Sequence, residues 1–185
     1  MGAFSFFVDS MPAGMRQRFL RRAFIQIAKR LIPDVADVVM QATNGVVYAG
    51  PFKGMVFPPS IAWPRYHISP MLLGTFEDQL SDSIERMISR KPSMVVNVGA
   101  GEGYFAVGMA QRLPDTPVVA LDLVEQCRCD TALLAETNSV ELTILERCTV
   151  SSLNKHLREN AAVLMDCEGA EIELLDPKQI AALAS

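Results

Sequence analysis

The chain has 185 residues, half of them hydrophobic, which suits one domain with a sizeable core and an added segment. A net charge of −4 argues against nucleic acid or another polyanion as the main partner. No apolar run approaches bilayer-spanning length, and Ala3–Val8 is too short for a signal-peptide core and has no basic residue before it.

Met15 to Ile32 reads as an amphipathic helix ended by Pro33. Leu20, Ala23, Phe24, Ile27, Ala28 and Leu31 fall on one face at helical spacing. Arg16, Arg18, Arg21, Arg22, Lys29 and Arg30 lie mainly on the other side. Such a helix suits a membrane surface or a partner, but the expectation is a solvated basic face on a helix packed against the domain. From Asp34 to Ser69 the pattern is irregular. Val46–Tyr48 and Met55–Phe57 read as two short strands, and Pro51, Pro58, Pro59, Pro64 and Pro70 rule out long regular elements. Trp63, Tyr66 and His67 stand out in this extension, which suits a lid or a substrate-side addition; each is more often a packing or surface residue than a catalytic one.

Thr75, with Asp78 three residues on, predicts a helix start, and that helix runs to about Arg90. Strands and helices then alternate. Strand 94–98 leads to helix 103–112, strand 118–122 to helix 124–137, and strand 141–146 to a weaker helix 151–160. Strand 162–166 precedes a last helical stretch, 170–183, which Pro177 splits. This alternation predicts βαβ units, right-handed crossovers and a Rossmann-like α/β parallel sheet of order 3-2-1-4. The expected division is an N-terminal helical and irregular extension, 1–74, and a Rossmann-like domain, 75–185. The four cysteines, Cys127, Cys129, Cys148 and Cys167, have neither paired zinc spacing nor a small secreted framework. The two side chains of a Cys-x-Cys in a helix face different ways, so no metal site is expected, and the default is a reduced, cytoplasmic protein.

In an open parallel sheet, ligands bind outside the carboxyl ends of the strands where their order reverses. The first strand ends on Asn97 and the loop Gly99-Ala100-Gly101-Glu102-Gly103, after which a helix N-terminus offers unpaired N–H groups. Glycine removes the Cβ atoms that would hold a ligand off the backbone. Asp122 ends the second strand, where an acid binds an adenosine ribose or else caps the next helix. Glu146, Arg147 and Cys148 follow the third strand. Asp166 and Glu168 follow the fourth, with a period of two that puts both carboxylates on one side of an extended chain. Glu171 and Glu173 suit a helix start. Two glycine registers are open. One begins at Gly99, at the strand end, where a tight turn belongs. The other, Gly101-x-Gly103-x-x-Ala106, satisfies the dinucleotide fingerprint and points to an NAD(P)-dependent oxidoreductase.

Val95-Val-Asn-Val-Gly-Ala-Gly-Glu-Gly-Tyr-Phe105, Val119-Ala-Leu-Asp122 and Leu164-Met-Asp-Cys-Glu-Gly-Ala-Glu171 together resemble the class I S-adenosylmethionine-dependent methyltransferases, and the last run is similar to the FkbM-type branch. The resemblance covers residues 75–185. It implies that Gly99, Gly101 and Gly103, with Ala100 and Glu102 between them, line the methionine moiety. Asn97 hydrogen-bonds the same ligand, although the family often has Asp at that position. Asp122 then binds the ribose, Arg147 and Cys148 lie near the adenine, and Asp166 and Glu168 face the transferred methyl group. The implied reaction is O-methylation of a small-molecule or glycan-like acceptor. The family's sheet has seven strands, whereas four are legible here. The fourth is therefore expected to be an open edge, covered by partner strands or a homodimer. A short sheet of this kind also suits a non-catalytic binding module.

Overall fold

The computed structural model of the chain describes residues 35–157, 159–176 and 178–180, and six positions between 20 and 30. Its centre is a four-stranded sheet of β1 (Met94–Val98), β2 (Val118–Leu121), β3 (Thr143–Leu145) and β4 (Ala161–Met165). All strands are parallel, in the order β3-β2-β1-β4. The two central strands are buried along their whole length, so they read as apolar runs without alternation, interrupted by the buried Asn97.

Residues 35–43 are helical, against the expected irregular pattern. The helices that follow are α1 (Arg65–Leu73), α2 (Ser81–Ser89), α3 (Tyr104–Arg112), α4 (Glu125–Thr137), α5 (Val150–His156) and α6 (Glu171–Leu174). Two apolar clusters cover the two faces of the sheet. Val95, Val118 and Ala120 face a core shared with Val107 and Met109 of α3 and Leu134 of α4. Their neighbours in the strands, Met94, Val96, Val98, Val119 and Leu121, face a second core with Leu153 of α5, Leu174 of α6 and Ile180.

Residues 45–72 are integrated with this sheet. Val47, Phe52, Met55, Phe57, Ile68, Met71 and Leu72 are buried in the same core as Val95. The Phe52 ring occupies the space that a side chain on Gly108 of α3 would need. It also meets Tyr104 edge-on at a centroid distance of 5.1 Å. Asn138, which caps α4, holds Val56 from both sides: its Oδ1 accepts the Val56 N–H at 2.8 Å and its Nδ2 donates to the Val56 carbonyl at 2.9 Å. The change of pattern near residue 74 thus marks a change of local structure within one core.

Several expected elements are corrected. The strands at Val46–Tyr48 and Met55–Phe57 reduce to one antiparallel bridge, Val46 with Val56. Helix α1 forms despite Pro70 inside it. Burial of Ile68, Met71 and Leu72 offsets the backbone bond that proline cannot donate, and Gly74 ends the helix in the left-handed region at φ 75°. Thr75 does not cap a helix. Its hydroxyl donates to the Pro70 carbonyl at 3.3 Å, Glu77 turns left-handed, and after a single 3₁₀ turn α2 begins at Ser81. Strand β3 is shorter than expected, a three-residue edge strand with Thr143 exposed. Thr149 starts α5 through a reciprocal capping box with Ser152.

The last helical stretch is confined to α6 as far as it is described; Pro177 and residues 181–185 lie outside the described residues. Most of the expected helix 15–32 lies outside them too. Its described positions, Leu20, Phe24, Gln26, Ile27, Ala28 and Arg30, are helical. Of its expected apolar face, Leu20, Phe24 and Ile27 are exposed, Phe24 by 72%, Ala28 is half-buried, and Ala23 and Leu31 lie outside the described residues. Among the described residues, no helix is long and apolar enough to cross a membrane, all four cysteines are free, and no cluster of three acidic, histidine or cysteine side chains could hold a metal ion.

Candidate functional site

Strand β1 stops at Val98, and Gly99, Gly101 and Gly103 all take positive φ, at 75°, 57° and 93°. Each glycine meets a different neighbour. A side chain on Gly99 would overlap the Asp166 carbonyl oxygen, because β4 runs beside β1 and the Asp166 N–H donates to the Val98 carbonyl at 3.0 Å. A side chain on Gly103 would come within 3.0 Å of Thr131, where α4 crosses the start of α3. A side chain on Gly101 would meet only the Trp63 indole, at 3.9 Å. The loop is further fixed by N–H groups of Gly99 and Ala100 donating to the Leu121 carbonyl, at 2.8 and 3.1 Å. The Ala100 methyl is buried in the first core.

Asp122 does two things at the end of β2. Its Oδ1 accepts the Val124 N–H at 2.8 Å, bracing the entry to α4, and its Oδ2 accepts the Gly101 N–H at 2.9 Å. The carboxylate thus closes a turn onto Val124, the N-cap residue of α4, which has no side-chain cap bond, and ties that turn to the glycine loop. The Cys127 thiol is a further hydrogen-bond partner of this carboxylate, whose two oxygens have about four acceptor directions between them. Arg128 donates to the Asp122 and Leu123 carbonyls at 2.8 and 2.9 Å.

Behind the loop lies a group of buried acids. Glu102 is only 5% exposed. Burial pushes its carboxyl up to about 7, and the Asp130 and Asp122 charges push the same way, against a hydrogen bond to its own backbone. Burial and the same three carboxylates push the Cys127 thiol up to about 11. Asp130 Oδ1 accepts the Ala62 N–H and the Gln126 side chain, each at 3.2 Å, while its buried Oδ2 has no partner. Asn97 is buried in β1 on the face of Val95. Its Nδ2 donates to the Leu164 carbonyl at 3.4 Å and its Oδ1 has no partner. Such orphaned acceptors are uncommon in folded proteins.

At the end of β4, Asp166 is exposed beside Gly99. Glu168 is also exposed, but the period-two expectation is corrected here. Glu168 is left-handed at φ 57° and opens a turn, so it does not continue the strand and its direction is not set by strand alternation. Glu171 folds back over that turn and accepts the Cys167 N–H at 2.7 Å, which holds its carboxyl below the usual range. Beyond β3, Arg147 is exposed. Cys148 packs half-buried against the second core, and burial pushes its thiol up. The end of β3 does reach the site, since the Leu145 carbonyl accepts the Asp122 N–H at 3.2 Å.

The structure therefore gathers the glycine loop, Asn97, Asp122 and the backbone of Asp166 at the switch point between β2, β1 and β4. It adds a residue that spacing did not single out for this place. Trp63 comes from the extension, packs against the first core, and lies over Gly101. It meets His67 edge-on at 5.5 Å, and His67 in turn lies 4.6 Å from Tyr66. Only the aromatic character of 63–67 was a signal. A cavity of about 350 Å³, lined by Arg86, Arg90 and Asn160 among others, sits at the amino end of β4, away from the glycine loop.

Fold and strand-end geometry together define a Rossmann-like α/β protein with a glycine loop at its topological switch point. No family model matches the chain, and no curated protein matches its sequence.

Proposed function

We propose that the protein is an S-adenosylmethionine-dependent methyltransferase of the FkbM type, acting on an oxygen of a small-molecule or glycan-like acceptor. The observation that carries this reading is the attachment of the glycine loop to Asp122, directly across the switch point from Asp166. Several unspent groups fit the cofactor. Asp122 keeps acceptor capacity for a ribose hydroxyl, the buried Asn97 oxygen lacks a donor, and Gly101 leaves open space. When bound, S-adenosylmethionine supplies a methyl group already activated on a sulfonium.

The protein's own work is then placement and proton management. Gly99, Ala100, Gly101, Glu102 and Gly103 form the bed. Asp122 orients the ribose, and Arg147 and Cys148 flank the side on which β3 ends. Asp166, exposed at the end of β4, takes the proton of the acceptor hydroxyl, with Glu168 beside it in the following turn. His67 of the extension is a second base within the aromatic group at Trp63.

The oxidoreductase reading relies on Gly101 as the tight-turn glycine. The strand end at Val98 favours Gly99 in that role. A thermal-shift comparison tests the proposal. S-adenosylhomocysteine at 100 times its Kd should add about 2.7 kcal/mol and raise Tm by several degrees, whereas NAD should leave it unchanged. Stabilisation by NAD alone would reverse the choice. Stabilisation by S-adenosylhomocysteine without methyl transfer to any acceptor would leave a binding module.

A further inference from the structure

We infer that Trp63 is a ligand-binding residue of the glycine-loop site, its indole forming the wall against which a sulfonium nucleoside bound over Gly101 packs. This rests on the methyltransferase reading and adds to it a residue from outside the glycine, Asp122 and Asp166 motifs.

Three observations carry the inference. Gly101 is the loop glycine whose missing side chain points into nearly open space; Gly99 and Gly103 are crowded by Asp166 and Thr131. The indole Cζ2 stands 3.9 Å from where that side chain would begin, which is van der Waals contact distance, so a group resting on Gly101 touches the indole. Trp63 is also held in place beforehand. The adjacent Ala62 N–H donates to Asp130 on α4, Ile61 is buried, Pro64 leads into α1, and the His67 N–H donates to the Pro64 carbonyl at 2.9 Å. The segment that carries the tryptophan is thus tied to the helix that also crowds Gly103 and follows the turn closed by Asp122.

The surroundings select the ligand's chemistry. Glu102, Asp122 and Asp130 are close enough to one another that the last two raise the pKa of the first. A nearby cation, Arg128, donates through Nη1 to the Asp122 and Leu123 carbonyls. An aromatic wall beside the Asp122 carboxylate, with Asp130 buried behind the loop, suits a cationic ligand with apolar surface, as a sulfonium nucleoside is.

Trp63 is the single tryptophan of the chain, so its emission reports on this one place. The experiment titrates the wild-type protein with S-adenosylmethionine and with S-adenosylhomocysteine, following tryptophan emission and calorimetric heat in parallel. The expected result is a saturable emission change with the same midpoint as the heat, and tighter binding of the sulfonium. Trp63→Phe, which keeps an aromatic wall, should bind within about threefold of wild type, and Trp63→Leu should lose about tenfold, at an unchanged circular dichroism spectrum. Calorimetric binding with no change in emission would overturn the assignment of Trp63 and leave the cofactor reading intact, as would a Trp63→Leu variant that binds like wild type. Absence of heat with either nucleoside would overturn the cofactor reading and the assignment with it.

Discussion

The carbonyl of Asp166 occupies the place where a side chain on Gly99 would begin. This contact fixes the distance between the ends of β1 and β4, and so sets the geometry of the switch point. Gly99→Ala combines backbone overlap with a left-handed φ of 75°, and should cost about 3 kcal/mol or more in urea unfolding. Gly101→Ala has the strain without the overlap and should cost about 1 kcal/mol. Equal losses for the two variants would contradict the described contact.

Glu102 gives stability a dependence on pH. Its folded pKa, about 7, lies above the ordinary 4.5, so the folded state binds this proton more tightly than the unfolded chain does. Its contribution is fully present below pH 4.5 and is lost as pH rises through about 7. The total is about 3 kcal/mol. Glu102→Gln, which cannot ionise, should gain stability over wild type progressively from pH 5 to pH 8. A difference that stays flat across that range in chemical unfolding would show that Glu102 titrates normally.

Asn138 joins the extension to α4 through both backbone groups of Val56 and also accepts from Gln111 at 3.1 Å. Asn138→Ala leaves half-buried backbone groups of Val56 unpaired and should cost about 1–2 kcal/mol. The Val56 amide should then exchange with deuterium faster than the amides of β1. Unchanged protection at Val56 would mean that the apolar contacts of Phe52 and Phe57 alone hold the extension.

Asp166 is exposed and no described residue depends on its side chain for a hydrogen bond, so Asp166→Asn should leave Tm within about 1 °C of wild type. In the proposed reaction it should lower kcat about a hundredfold or more while changing cofactor affinity little. Full turnover by this variant would remove Asp166 from the proton-accepting role.

The sheet was legible because its central strands are apolar on both faces. Val95, Val96, Val119 and Ala120 cannot alternate with polar residues when both sides are covered, and that pattern survives in the sequence. The place of Asp122 was legible for the same reason, since it follows the last buried residue of β2. Its double attachment was not, because the bond to Gly101 spans residues that only the sheet brings together. The extension was opaque. Pro70 argues locally against α1, and only the burial of Ile68, Met71 and Leu72 in the common core outweighs it. Thr75 and Asp78 carried a valid capping signal that lost to the turn built on the Pro70 carbonyl. Glu168 misled by simple spacing, since β4 ends at Met165 and the chain turns left-handed at Glu168 itself. Trp63 owes its place over Gly101 to the link between Ala62 and Asp130, 68 residues apart in the chain.

Calorimetry of S-adenosylhomocysteine with the wild-type protein and with Asp122→Ala tests the central claim most directly. The account predicts saturable one-to-one binding by wild type. The variant, which loses the ribose partner and frees the Gly101 N–H, should bind at least tenfold more weakly, with stability lower by about 2 kcal/mol. No binding by wild type, or the same affinity in the folded Asp122→Ala variant, would contradict it.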